Sequence, residues 1–148
     1  MGIKRLSLCF FGIIFAFVLS ACGAGVDVSK LEPGIDDARI SNVGVSVKVD
    51  SLEKDGDSLN LNLVYQNNTD RDVVYGKEPR LEIQIDGQWY EMNIKDDAAW
   101  ESIGIVIISN TTSEEQVDLN MYYEDLPSGH YRFLKRIDSF YRAAEFDL

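Results

Sequence analysis

Apolar residues fall on every second position over Val43, Val45, Val47 and Val49, with Gly44, Ser46 and Lys48 between them. That period belongs to a half-buried strand, because successive side chains of extended backbone point to opposite faces. Asp55-Gly56 signals a tight turn, and Leu59, Leu61, Leu63 and Tyr65 alternate with Asn60, Asn62 and Val64 as the returning arm of a hairpin. After the turn residues Asn67-Asn68-Thr69-Asp70 come a short strand at Val73-Val74-Tyr75 and an alternating one at Leu81, Ile83 and Ile85. Asp86-Gly87 makes a two-residue turn into Trp89, Tyr90 and Met92. The apolar run from Ile103 to Ser109 predicts a strand buried on both faces. Val117 and Leu119 mark another strand, Tyr131 to Ile137 the next, and Tyr141 and Ala143 belong to a closing one. No stretch keeps an apolar stripe at helical spacing. Roughly eight or nine short strands with regularly spaced turns predict an all-β chain of two stacked antiparallel sheets.

Leu126-Pro127-Ser128-Gly129-His130-Tyr131-Arg132-Phe133 predicts a corner leading into a strand. Pro127 presets φ and Gly129 allows a bend that other residues resist. A tyrosine just past such a bend, two residues before a buried position, matches the tyrosine corner, in which the phenol hydroxyl bonds back to upstream backbone. In antibody domains the buried position is a cysteine; here it is Phe133, so packing replaces the disulfide. Alternation puts Tyr131, Phe133 and Lys135 on one face and Arg132 and Leu134 on the other. On this reading Arg132→Ala is a surface change, costing under about 1 kcal/mol.

Lys4 and Arg5 precede a 14-residue apolar run, Leu6 to Leu19, interrupted by Ser7 and Gly12. The run suits the apolar region of a signal peptide and is short for a membrane span, which needs about 20 residues. Leu19-Ser20-Ala21-Cys22 follows, and it resembles the lipobox of bacterial lipoproteins. The resemblance implies diacylglycerol in thioether linkage on Cys22, cleavage between Ala21 and Cys22, and acylation of the new amino group. Membrane lipid is then a partner, and the location is the extracytoplasmic face of the cell membrane. Residues 1–21 are expected to be the signal peptide. Residues 22–42, rich in Gly, acidic residues and Pro33, are expected to be the acylated cysteine and a flexible tether. Residues 43–148 form the domain.

Composition narrows the function. The chain carries a net charge of −11, and without residues 1–21 it carries −13. That balance argues against nucleic acid, which wants a basic footprint. It suits either a solubilising surface or a cationic partner, such as a basic peptide or a divalent metal. Cys9 and Cys22 both precede the domain, so no disulfide and no thiol chemistry is expected within it. His130 is the only histidine; alone it builds neither a zinc site nor a triad. No paired carboxylates, glycine-rich phosphate loop or nucleophile elbow appears, so no catalytic residue and no cofactor is expected. Asp55-Gly56-Asp57 with Ser58 and Asn60 only faintly matches a calcium loop, since Gln66 stands where a bidentate glutamate belongs and the flanks are strands. Lys95-Asp96-Asp97 is a second acidic loop. Asn67-x-Thr69 and Asn110-x-Thr112 read as turn residues. Of the aromatic residues, Trp89 is expected in the core beneath the corner, while Trp100, in an irregular stretch, is the candidate ligand-facing surface.

Residues 59–148 resemble a bacterial immunoglobulin-like domain often found in lipoproteins and sensor proteins. The resemblance is carried by Leu61 to Tyr65 before Asn67-Asn68, Tyr75-Gly76 before Leu81-Glu82, Asp86-Gly87-Gln88-Trp89-Tyr90, and Leu126 to Lys135. Asn110-Thr111-Thr112-Ser113 departs from the proline-glycine or glycine-serine turn usual before Val117-Asp118-Leu119. The resemblance implies an immunoglobulin-like sandwich, an extracytoplasmic location and no catalytic residues. The expectation is a membrane-anchored lipoprotein with a binding or scaffolding module for a protein or small ligand. The alternative is a sensing accessory of a cell-envelope system that takes a peptide, glycan or divalent cation.

Overall fold

The computed structural model describes residues 26–148. Leu19, Ser20, Ala21 and Cys22, and with them the anchor expected there, lie outside the described residues. Ten strands run β1 Glu32–Pro33, β2 Val45–Asp55, β3 Ser58–Asn67, β4 Val73–Gly76, β5 Leu81–Ile85, β6 Gln88–Glu91, β7 Gly104–Ile107, β8 Thr111–Asp118, β9 His130–Ile137 and β10 Phe140–Asp147. They form a five-stranded sheet in the order β1-β6-β5-β9-β10, a three-stranded sheet β2-β3-β8, and a two-stranded ribbon β4-β7. Every strand pairing is antiparallel. The only regular non-strand elements among the described residues are three single 3₁₀ turns. The layers form because alternate residues are apolar: Val45, Val47, Leu61, Leu63 and Tyr65 from one sheet meet Leu81, Ile83, Tyr131, Phe133 and Ile137 from the other, all buried. Tight turns fix the registers. Asp86 and Gly87 both take positive φ, 50° and 81°, as a two-residue hairpin whose twist matches its strands requires.

At the corner, Tyr131 Oη donates to the Pro127 carbonyl at 2.6 Å, four residues upstream. Tyr131 and Phe133 are wholly buried, and Tyr131 stacks on Phe146 at 5.7 Å. Leu126, Pro127 and Gly129 are half-buried at the bend. Gly129 exchanges both backbone hydrogen bonds with Leu148, closing the C-terminus onto the corner. These residues shape the fold, and Leu126 also lines an open depression of about 800 Å³ together with Lys54, Asp57 and Lys95.

Four expectations need correction. The stretch 22–42 is not free tether in its described part. β1 pairs with β6, Ile40 bridges Tyr141, and Ser41 N donates to the Tyr141 carbonyl, so the chain crosses the outer face of the five-stranded sheet as a strap. Gly34 permits the close approach, since a Cβ there would stand 2.7 Å from both Glu82 Oε2 and Trp89 Cβ. The strap changes the second expectation, an exposed Arg132. The facing is as the alternation predicts, but the outer face is covered, and Arg132 is 2% exposed. Its guanidinium donates to Glu82 Oε2 (2.7 Å), Asp37 Oδ1 (2.7 Å) and the Ile35 carbonyl (2.6 Å). Glu82, wholly buried, also accepts from Ile35 N at 2.8 Å and Arg80 Nε at 3.1 Å. Third, Trp89 lies on that outer face, not in the core. It is half-buried, with the Arg132 guanidinium 4.4 Å from its ring. Fourth, within Ile103–Ser109 only Ile107 is buried, and Ile103, Val106 and Ile108 are exposed, because β7 is a strand of a narrow ribbon rather than of a covered sheet.

These contacts order three variants. Tyr131→Phe should cost about 1 kcal/mol, the net value of one hydrogen bond. Tyr131→Ala should cost about 3–5 kcal/mol for the lost aromatic core. Arg132→Ala should also cost about 3–5 kcal/mol, since it leaves Glu82 buried and without its principal cation. Urea melts measure all three.

Candidate binding groove

β7 and β8 are joined by a short turn in which Thr111 N and Thr111 Oγ1 both donate to the Ile108 carbonyl, and Asn110 takes φ 55°. Consecutive antiparallel strands so linked ordinarily pair as a hairpin. These do not. β7 pairs with β4, from Val73↔Ile107 to Gly76↔Gly104, and β8 pairs with β3, from Asn67↔Thr111 to Asn60↔Asp118. The reason lies in the loop after β3. Asn67, wholly buried, donates through Nδ2 to the carbonyls of Arg71, Ile107 and Ile108, and its Oδ1 accepts from Thr69 N and Oγ1. Asp72 Oδ1 accepts from Ser109 N at 2.8 Å. The turn is thus held to the β3–β4 loop, which draws β7 to β4.

A groove of about 280 Å³ opens along β8, walled by Tyr75, Ile105, Met121 and Tyr122. Beneath it Tyr65 and Tyr75 stack at 4.5 Å, and Tyr65 Oη donates to Glu115 Oε2 at 2.5 Å. Lys135 reaches the same place from β9: Nζ stands 3.4 Å from Glu115 Oε1, 3.1 Å from the Gly76 carbonyl and 3.5 Å from that of Glu78. Burial pushes the Lys135 ammonium below its ordinary range, against the pull of Glu115. The same burial pushes the phenols of Tyr65 and Tyr75 upward, reinforced by the Glu115 charge. All three ammonium hydrogens have acceptors and both Glu115 oxygens have donors, so this floor is a closed set. It holds shape and charge beside the groove and leaves neither a free base nor a free amine.

At the rim Trp100 meets Tyr122 edge-on at 6.5 Å, and Lys77 pairs with Glu101. Trp100, the ligand candidate from the sequence, does not line the groove itself and reaches it only through Tyr122. Tyr123 is buried in the core, and Trp89, Tyr90 and Tyr141 lie with the five-stranded sheet, away from Trp100 and Tyr122. His130 is half-buried, its ring nitrogens 2.7 Å from Asp147 and 3.2 Å from Glu145 across the strand pair. Those bonds, Asp147's foremost, raise its pKa above the usual range. Of the acidic loops, Asp57 accepts from Asn120 Nδ2 through its carbonyl. Among the described residues no group of three or more His, Cys, Asp or Glu side chains is arranged to hold a metal. Sequence reasoning missed the Tyr65–Glu115–Lys135 set, although a lysine on the inward phase of β9 implies a buried partner.

A family model described as a bacterial Ig-like domain matches residues 41–147. No curated protein and no solved structure matches the chain.

Lys135→Met should destabilise the protein by about 3 kcal/mol, because it strands the Glu115 carboxylate beside the core. Adding Glu115→Gln should recover part of the loss. A double-mutant cycle in urea checks the coupling, expected between about 0.5 and 3 kcal/mol for residues in contact.

Proposed function

This chain belongs to the bacterial Ig-like domain family, and from that membership we propose that it is a membrane-anchored extracytoplasmic lipoprotein whose domain binds a partner rather than catalysing a reaction. The observation that carries the reading is the groove along β8, with its saturated floor and the Trp100–Tyr122 edge at its rim. Nothing in that floor is free to move a proton, and aromatic edges of this kind suit peptide side chains or sugar rings. A sensing accessory to a cell-envelope system would use the same groove. The anchor rests on Leu19-Ser20-Ala21-Cys22 behind the apolar run. Two or more acyl chains on Cys22 would hold the chain firmly, each buried CH₂ contributing about 0.8 kcal/mol.

Cys22→Ala should abolish incorporation of labelled fatty acid and block cleavage before residue 22, so that the larger precursor, still carrying the apolar run Leu6 to Leu19, accumulates. A variant that stays membrane-bound and is still cut before residue 22 overturns the anchor. For the groove, a photo-cross-linking amino acid at position 100 of the full chain should give a discrete adduct in producing cells. The same probe at the exposed Lys48 should not. Equal labelling from both positions, or none from position 100, overturns the groove as the binding site.

A further inference from the structure

Resting on the reading of the groove as a binding site, we propose that its partner is an extended cationic segment of another protein, which adds as a strand to the free edge of β8. The first observation is which residues line the groove. All five consecutive residues from Glu114 to Asp118 border it. Alternate residues of a strand point to opposite faces, so a groove lying on one face of β8 would meet every second residue. Contact with all five places it along the backbone edge.

That edge is unpaired. β8 is the terminal strand of its sheet, with β3 on its other side. The strand that would have folded back onto it, β7, pairs with β4 instead, and its turn end is tied to Asn67 and Asp72. An unpaired row of N–H and C=O groups is a template for another strand, and peptide recognition by strand addition uses it. Exposed edges are guarded by proline, bulges, covering loops or charged side chains, and here the guard is of one sign, Glu114, Glu115 and Asp118, which disfavours an acidic or apolar strand and admits a cationic one. Over Glu114 to Asp118 there is no proline, and the register with β3 runs unbroken.

Charge and surface specify the occupant. Of the charges in the lining, Glu115 is paired with Lys135 and Lys77 with Glu101, which leaves Glu114 and Asp118 as the acidic surface that an occupant meets. Glu114 is exposed and has no cation within salt-bridge distance among the described residues. On the opposite wall Tyr75, Ile105, Met121 and Tyr122 offer aromatic and aliphatic surface. Glu115 and Val117 face inward opposite Leu63 and Leu61, while Glu114 and Gln116 face out. A strand laid beside β8 therefore meets apolar surface with one set of alternate residues and a carboxylate with the other. Alternating Lys or Arg with Val, Ile or Leu satisfies both.

The test uses the full chain in detergent micelles with a short synthetic peptide of alternating Lys and Val. Hydrogen exchange read by mass spectrometry should show slowed exchange in residues 112–118 at saturating peptide. A Glu-Val peptide of equal length should give none. Two further peptides carry N-methyl groups, one on every Lys and one on every Val. One of these should bind at least about tenfold more weakly, since it loses the hydrogen bonds of the pairing edge. Glu114→Lys should also weaken binding without lowering the melting temperature. The proposal fails if the Lys-Val peptide leaves β8 unprotected, if protection falls elsewhere, or if both N-methyl peptides bind as well as the parent. Adducts from position 100 without β8 protection would sink strand addition and leave the groove standing as a binding site; loss of both would remove both readings.

Discussion

The outer face of the five-stranded sheet depends on one buried ion pair, Arg132 with Glu82. Two charges out of water are tolerable only when every hydrogen-bonding position is filled, and here the strap fills what the sheet cannot. Ile35 donates its N–H to Glu82 and gives its carbonyl to Arg132, so one residue is gripped by both members of the pair. Asp37 closes the arginine on the outside, and Trp89 supplies a flat surface beneath it. Without the strap the pair would face solvent on an open sheet, where such bridges contribute little. Without the pair, the strap would hold by the two residues of β1 and the contacts near Tyr141. Each therefore makes the other worth having.

The two sides of the sandwich are built on opposed principles. On the strap side a polar cluster is sealed by added chain. On the groove side the turn between β7 and β8 is tied down by buried Asn67 and by Asp72, and the acid–base pair beneath, Glu115 with Lys135, is sealed by tyrosine rings and backbone carbonyls. In both places an arginine or lysine of β9 reaches across to a carboxylate of another strand. β9 thus carries core residues on one phase and still contributes a cation to each side of the domain.

Much of this was legible in the alternation. The strands, the turn at Asp86-Gly87, the corner with its tyrosine and the inward phase of β9 follow from local rules that use only neighbours in sequence. What escaped depends on distant chain. Arg132 is on the face opposite Tyr131, as period two requires, but whether that face is wet depends on residues nearly a hundred positions earlier. Pro33, Gly34 and the acidic residues of the strap have a tether's composition. Their order comes from the partners they meet, not from any period of their own. The run Ile103–Ser109 misled for a related reason: apolar residues in succession suit a strand covered on both sides, yet this strand is diverted to a narrow ribbon and shows half of them to water. Trp100 was singled out because its surroundings were irregular, and it meets Tyr122 of the groove wall; the inward phase of Lys135 implied a buried partner, but nothing local named Tyr65 or Glu115.

The strap also decides how the domain answers tension. A pull on the chain at Val26 first meets the packing of Val26 and Leu31 on the core and the bond from Asn93 Nδ2 to the Lys30 carbonyl, and then β1, whose two residues can peel from the sheet edge one bond at a time. It then meets Ile35, held from both sides, and Asp37, held by the guanidinium. There the bonds are loaded together, and the lever arm ends. A domain tied to a surface through its N-terminus would thus have a compliant first stage followed by a hard stop, and the stop would lie in the sheet opposite the groove, leaving β7, β8 and the space between them unstressed.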